Sequence, residues 1–128
     1  MESKDKTALI KYRLEQAKIA AENAELLINH KAFNAAVNRI YYSIFNSINA
    51  LALKYEFKTS KHQQLIGWFN KTFIKEGKID AKYGKILKKA YEARSESDYG
   101  EFVDITMEEA RDLFEDMKDF LTIIGQFI

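Results

Sequence analysis

At 128 residues, with 47% hydrophobic and 13% aromatic content, the chain can bury a core as one domain and is too apolar to be disordered. It has no cysteine and no proline, which excludes disulfides, thiolate chemistry and Cys-based zinc sites and leaves helices uninterrupted. The formal net charge of +1 hides a strong asymmetry: Lys54 to Lys89 holds ten lysines against three acids, net +7, and Glu92 to Asp119 holds eleven acids against three bases, net −8.

The first helix is expected to start near Asp5 or Thr7, either of which can act as N-cap, and to run to about Asn29. Its apolar stripe is Ile10, Leu14, Ala17, Ala21, Ala24 and Ile28, and the three central alanines allow another helix to approach closely. Asn29-His30-Lys31 is a turn of the length that joins antiparallel neighbours, with His30 as a turn residue.

Ala32 to Leu53 carries a single charge, Arg39, although 30% of the chain is Asp, Glu, Lys or Arg. On a helix, Phe33, Val37, Ile40, Ile44, Ile48 and Leu51 form one apolar stripe. The opposite face, with Arg39, Tyr42, Ser43, Asn46, Asn49, Ala35 and Ala50, lacks the Lys and Glu of an ordinary solvated face. A central helix covered on both sides is the expected result. Its asparagines, serines and arginine make it far too polar to span a membrane. MESKDKTALI at the N-terminus has no signal-peptide hydrophobic region, so a cytoplasmic protein without membrane association is expected.

Ser60-Lys61-His62-Gln63 has the form of a capping box, Ser60 as N-cap and Gln63 at N3, opening a third helix with Leu65, Ile66, Phe69 and Phe73 inward and Gly77 as its C′ residue. A fourth helix begins between Ile79 and Ala81 and carries Tyr83, Ile86, Leu87, Ala90 and Arg94 on one side, with Arg94 and Asp98 as an i,i+4 pair. The stretch from Tyr99 to Asp104 is expected to be an ordered loop. Thr106-x-x-Glu109 is a second capping box, before a last helix marked by Ala110, Leu113, Phe114, Met117, Leu121 and Ile124. The fold class is therefore all-α, an up-and-down bundle of about five helices in one domain spanning residues 1–128.

The basic and acidic stretches either neutralise or solvate the fold, or present a lysine-rich face to phosphates. Neither His30 nor His62 sits in a metal-binding spacing, so neither a metal nor a cofactor is expected. Gly77-Lys78 and Gly84-Lys85 fail the P-loop pattern, and no serine sits in a nucleophile elbow. The acidic run from Glu108 to Asp119 is ordinary helix surface. Arg39 needs a partner: either a structural pair with Asp98 or another acid, with hydrogen bonds to Tyr42, or a phosphate held by a polar column of Arg39, Tyr42 and Asn46.

Asn38-Arg39-Ile40-Tyr41-Tyr42-Ser43-Ile44-Phe45, Lys61-His62, Phe69-Asn70-Lys71-Thr72-Phe73, Gly77-Lys78-Ile79, Tyr83-Gly84-Lys85-Ile86-Leu87, Arg94-x-x-x-Asp98-Tyr99 and Thr106-x-Glu108-Glu109-Ala110 follow one another in an order that resembles the HEPN superfamily. The resemblance runs from about Leu9 to Ile124 and is to its small single-domain prokaryotic members. It implies a helical bundle that homodimerises, encoded beside a minimal nucleotidyltransferase partner in a toxin–antitoxin-type pair. Active members are metal-independent endoribonucleases with Arg, four to six residues, then His. Such an arginine would hold the scissile phosphate while the histidine moves protons.

This chain departs from that signature, because leaving six residues after Arg39 brings the count to Asn46, which cannot act as a general acid or base near pH 7. The resemblance therefore implies first a nucleotide- or partner-binding subunit of the two-component module, with Arg39, Tyr42 and Lys61 near the phosphate. The alternative is an endoribonuclease toxin using Arg39, with Asn46 at the histidine position or His62 in its role. A third reading is a purely structural helical interaction domain.

Overall fold

The computed structural model describes residues 3–99 and 104–128. Among them are five α-helices and no strand: α1 (Ser3–Asn29), α2 (Phe33–Lys54), α3 (His62–Phe69), α4 (Ala81–Tyr99) and α5 (Met107–Gly125), with a π-helical turn, Asn70–Ile74, continuing α3. The expected ordered loop lies mostly in residues 100–103, outside the described residues. No described helix is long and apolar enough to cross a membrane.

The central position of α2 follows from its composition. It packs against α1, α3, α4 and α5, and its stripe residues Val37, Ile40, Ile44, Ile48 and Leu51 are all buried. The opposite face is covered by α1, where Ala17, Ala20 and Ala24 are buried and small enough for the two backbones to come close. There the fully buried Ser43 donates its hydroxyl to the Ala17 carbonyl at 2.7 Å. The remaining core is built on Leu65, Phe69 and Phe73 from the α3 segment, Leu87 and Ala90 from α4, and Leu113, Met117 and Phe120 from α5.

Helix ends follow local chemistry. The capping box at α5 forms as expected, with Glu109 N–H donating to Thr106 Oγ1 at 3.1 Å and Thr106 N–H to Glu109 Oε1 at 3.2 Å. The one expected at Ser60 does not. Here α3 begins at His62 with Lys61 as N-cap and no side-chain cap. Thr59 Oγ1 instead accepts from the Lys61 N–H at 3.2 Å, while Gln63 turns away to donate to Tyr91 Oη at 2.7 Å. Gly77 does close the α3 segment, at φ 73°, with Gly77 N–H bonded to Ile74 O and Lys78 N–H to Phe73 O. The same paired bonds end α1 at Lys31 and α2 at Glu56, both at φ 63° although neither is glycine.

Candidate functional site

The polar face of α2 meets the C-terminal half of α4 and the start of α3 around the ring of Tyr42. Arg39 lies one turn before Tyr42, so its guanidinium carbon sits 5.2 Å from the Tyr42 ring centre. Asn38 fixes it there, accepting from Arg39 Nε at 3.0 Å and Nη2 at 2.7 Å through one amide oxygen. The Asn38 amide nitrogen donates in turn to Asp98 Oδ2 at 3.0 Å. Asp98 is the partner of Arg94, with Nε 3.0 Å from Oδ2. That N–H does not point along the contact, so the pair is one of charge rather than a linear hydrogen bond.

The structural pairing expected for Arg39 is thus taken by Arg94, which also donates from Nη2 to Tyr42 Oη at 3.0 Å and lies over the rings of Tyr41 and Tyr42. Among the described residues Arg39 has no ion pair. It borders a surface depression of about 350 Å³ with Leu27, Asn34, Asn38, Ser97 and Asp98.

His62 closes the other side of Tyr42. Its ring stacks on Phe45, centres 4.0 Å apart, and meets the Tyr42 ring edge-on at 5.9 Å. Nδ1 is 2.9 Å from the hydroxyl of Tyr41, whereas Nε2 makes no hydrogen bond among the described residues. Burial holds the Tyr41 phenol well above its usual range, against the opposing effect of Arg94. When that phenol donates to Nδ1, the imidazole carries its proton at Nε2. Burial, and then the charge of Arg94, push the His62 pKa below its ordinary 6.5, so the ring is neutral at neutral pH.

As pH falls below 6.5, unfolded His62 gains a proton before the folded one does. Its stabilisation is therefore complete above that value and declines toward the lower folded pKa. His62→Phe is expected to flatten the urea midpoint measured from about pH 7 to about pH 5; an unchanged slope would mean that His62 does not couple folding to pH.

Arg39, one turn away on α2, and His62, twenty residues further along the chain, are thus gathered around the Tyr42 ring. Asn46 and Lys61 are not part of that group. The Asn46 amide donates to the Tyr42 carbonyl at 2.9 Å, and its oxygen accepts from Arg13 Nη1 at 3.4 Å. Lys61 is exposed, and its ammonium makes no hydrogen bond or ion pair among the described residues. No group of three or more His, Asp or Glu able to hold a metal occurs among the described residues. The basic and acidic stretches form no ion pair with each other among the described residues, although Lys89 and Lys82 of α4 act at longer range on Asp116 of α5. Burial dominates there and raises the Asp116 pKa.

Sequence reasoning placed Arg94 on one side of the fourth helix, paired with Asp98, and gave Asn38 and Tyr41 a place in the family motif but no role in the site. The i,i+4 spacing of Arg94 and Asp98 signalled their pair, but nothing local signalled that Arg94 would also reach Tyr42 from another helix.

Comparison with known proteins agrees with this architecture. A model of the HEPN domain matches residues 10–127. A UPF0332 protein of Thermotoga maritima is 34% identical over 124 residues, covering 97% of this chain and 94% of that protein. Two Methanocaldococcus jannaschii proteins, each named "Putative toxin", are 36% identical over 115 residues and 40% identical over 84. The first match covers 90% of this chain and 78% of the relative, the second 63% of each. With the family model spanning nearly the whole bundle, from α1 to the end of α5, the chain belongs to the HEPN domain family.

Proposed function

We propose that this chain is the phosphate-binding subunit of a toxin–antitoxin-like HEPN/nucleotidyltransferase module, engaging a nucleotide or RNA phosphate through Arg39 in the cytoplasm. The observation that carries this reading is the state of Arg39. Its guanidinium is aligned by Asn38 and the Tyr42 ring, borders a depression, and has no carboxylate partner among the described residues. A fixed, uncompensated guanidinium is suited to bidentate contact with phosphate oxygens. Lys61 adds an exposed positive charge at the start of α3, where it can attract phosphate over a longer range. The nucleotidyltransferase partner follows from the family resemblance, and the names of the jannaschii relatives favour the toxin context.

Homodimerisation is supported by α1. Its exposed Tyr12, Ile19 and Leu26 recur every seven residues at 53%, 41% and 57% exposure, separated by the uncharged Gln16 and Asn23. Alternating spacings of three and four make this a coiled-coil-like seam. Ile19→Glu is expected to convert a dimer to a monomer with helicity retained, as measured by light scattering and circular dichroism. A monomeric wild type, or a dimer indifferent to the change, would remove this support.

The position of His62 favours a second reading, a metal-independent endoribonuclease. Its neutral imidazole, with Nε2 unbonded and Tyr41 holding Nδ1, flanks the same Tyr42 ring as Arg39. In that reaction the His62 tautomer with Nδ1–H donated to Tyr41 Oη leaves the Nε2 lone pair free to take the proton of the 2′-oxygen, while Arg39 stabilises charge on the phosphate. The test is binding and cleavage of a mixed RNA in EDTA by wild type, Arg39→Ala and His62→Gln. Binding that depends on Arg39 without turnover supports the binding subunit. Cleavage lost in both variants supports the nuclease, and RNA handled identically by all three eliminates both readings.

A further inference from the structure

A second concave site lies further along the α2 polar face and touches the Arg39 group at Phe45, the ring on which His62 stacks. It is a groove of about 430 Å³ between α1, α2 and the α2–α3 connection, lined by Arg13, Asn49, Lys58, Ser60, Phe45 and Leu53 among others. Asn49 is ten residues beyond Arg39, about 15 Å along the helix at ~1.5 Å per residue.

The groove has a charge pattern that the fold itself does not neutralise. Its lining includes two cations and no acid. The nearby Glu56 is ion-paired with Lys6, in a neighbouring depression. Arg13 Nε is buried without a hydrogen-bond partner, and Arg13 Nη1 reaches only the Asn46 oxygen, at a long 3.4 Å. Among the described residues the Lys58 ammonium, the Asn49 amide and the Ser60 hydroxyl make no hydrogen bonds, and Lys58 and Ser60 are exposed. An orphaned buried guanidinium N–H calls for an acceptor, and the planar fork around it favours an oxyanion. Asn49, Lys58 and Ser60 add more donors than the two oxygens of a carboxylate would use, which points to phosphate. Phe45 and Leu53, both largely buried, supply an apolar wall that inorganic phosphate alone would leave uncovered.

From this geometry we infer a second ligand site, taking a phosphate monoester that carries an apolar or aromatic body, with the phosphate on Arg13 and Lys58 and the body against Phe45 and Leu53. The volume lies in the usual range for small-molecule sites, roughly 300–1,000 Å³. The same chemistry is offered by a free mononucleotide or by the 5′-phosphorylated end of an RNA strand. The site does not rest on the role proposed for Arg39.

The experiment is titration of the full chain, followed by calorimetry and amide NMR, with AMP, ribose 5-phosphate, and an RNA trimer with or without its 5′-phosphate. Wild type, Arg13→Gln and Lys58→Glu are compared, and the amide shifts report which part of α2 each probe contacts. AMP is expected to bind more tightly than ribose 5-phosphate because the base covers the apolar wall. Arg13→Gln and Lys58→Glu should each weaken, at least tenfold, the binding event whose amide shifts centre on Asn49 and Lys58. Lys58 is exposed and unbonded among the described residues, so its variant stays informative if Arg13→Gln folds poorly. Binding of the 5′-phosphorylated trimer alone, with the same dependence on Lys58, would identify an RNA end as the source. The inference is overturned if no probe binds, if binding ignores Lys58→Glu, or if the amide shifts centre on Asn38, Arg39 and Tyr42 instead of this groove.

Discussion

Arg39→Ala is expected to weaken RNA or nucleotide binding by about 10- to 100-fold while leaving thermal stability within about 1 kcal/mol of wild type. The first magnitude is that of a charge-assisted, bidentate phosphate contact, about 1.5–3 kcal/mol. The second follows from what Arg39 does in the folded chain. Its hydrogen bonds go to the adjacent Asn38, and its remaining contact is with the face of a tyrosine one turn away, so it ties no two helices together. Arg94 is the contrast. It joins α4 to α2 through Tyr42 Oη and lies over two aromatic rings, so its truncation loosens a helix interface. The comparison is made by equilibrium binding of a fluorescent oligoribonucleotide in EDTA, with melting curves of the same samples. If Arg39→Ala melts well below wild type and folded material binds unchanged, Arg39 is a structural residue and the purely structural reading takes over.

The contrast between these arginines also marks where the sequence ceased to be legible. The burial of α2 was visible in its loss of charge, and α1 was recognisable as its neighbour from the run of alanines that Ser43 now bonds across. Thr106-x-x-Glu109 and Gly77 were legible because each acts within a few residues and needs no distant partner. The box at Ser60 failed for a tertiary reason. Gln63 finds Tyr91 on α4, twenty-eight residues away, and the neighbouring Thr59 provides the turn bond. Lys31 and Glu56 end their helices with glycine-like geometry but without a glycine to signal it. The widened turn at Asn70–Ile74, closed by Lys75 N–H to Asn70 O at 2.8 Å, carries no compositional mark.

The candidate site was legible only where it lies on one helix. Arg39 and Tyr42 could be grouped by spacing, and that same spacing drew in Asn46. Helical periodicity specifies a face but not which side chains on it are already engaged. Asn46 spends its amide on the Tyr42 carbonyl and Arg13, while His62 reaches the cluster by packing on Phe45 from the start of another helix.

Phe69→Ala is expected to cost about 3–5 kcal/mol, the usual penalty for emptying a fully buried phenyl site. Phe69 is completely shielded and packs with Phe73 and with Phe120 of α5, ring centres 5.9 and 5.6 Å away. The eight residues of α3 are too few to be helical on their own, so α3 depends on this docking. In a domain whose total stability is of order 5–15 kcal/mol, the loss moves the urea midpoint sharply downward. Trp68, the single tryptophan, provides the local probe because it stacks on Phe57 at 5.3 Å and meets Phe73 edge-on at 5.6 Å. If α3 loosens before the rest of the bundle, the Trp68 fluorescence transition precedes the loss of helical circular dichroism, and His62, the first residue of α3, leaves Tyr41 and Phe45 with it. RNA handling that depends on His62 should then disappear with the fluorescence transition, while binding through Arg39 on α2 persists until the helical signal is lost. A penalty below about 1 kcal/mol would show that α3 is not docked through Phe69.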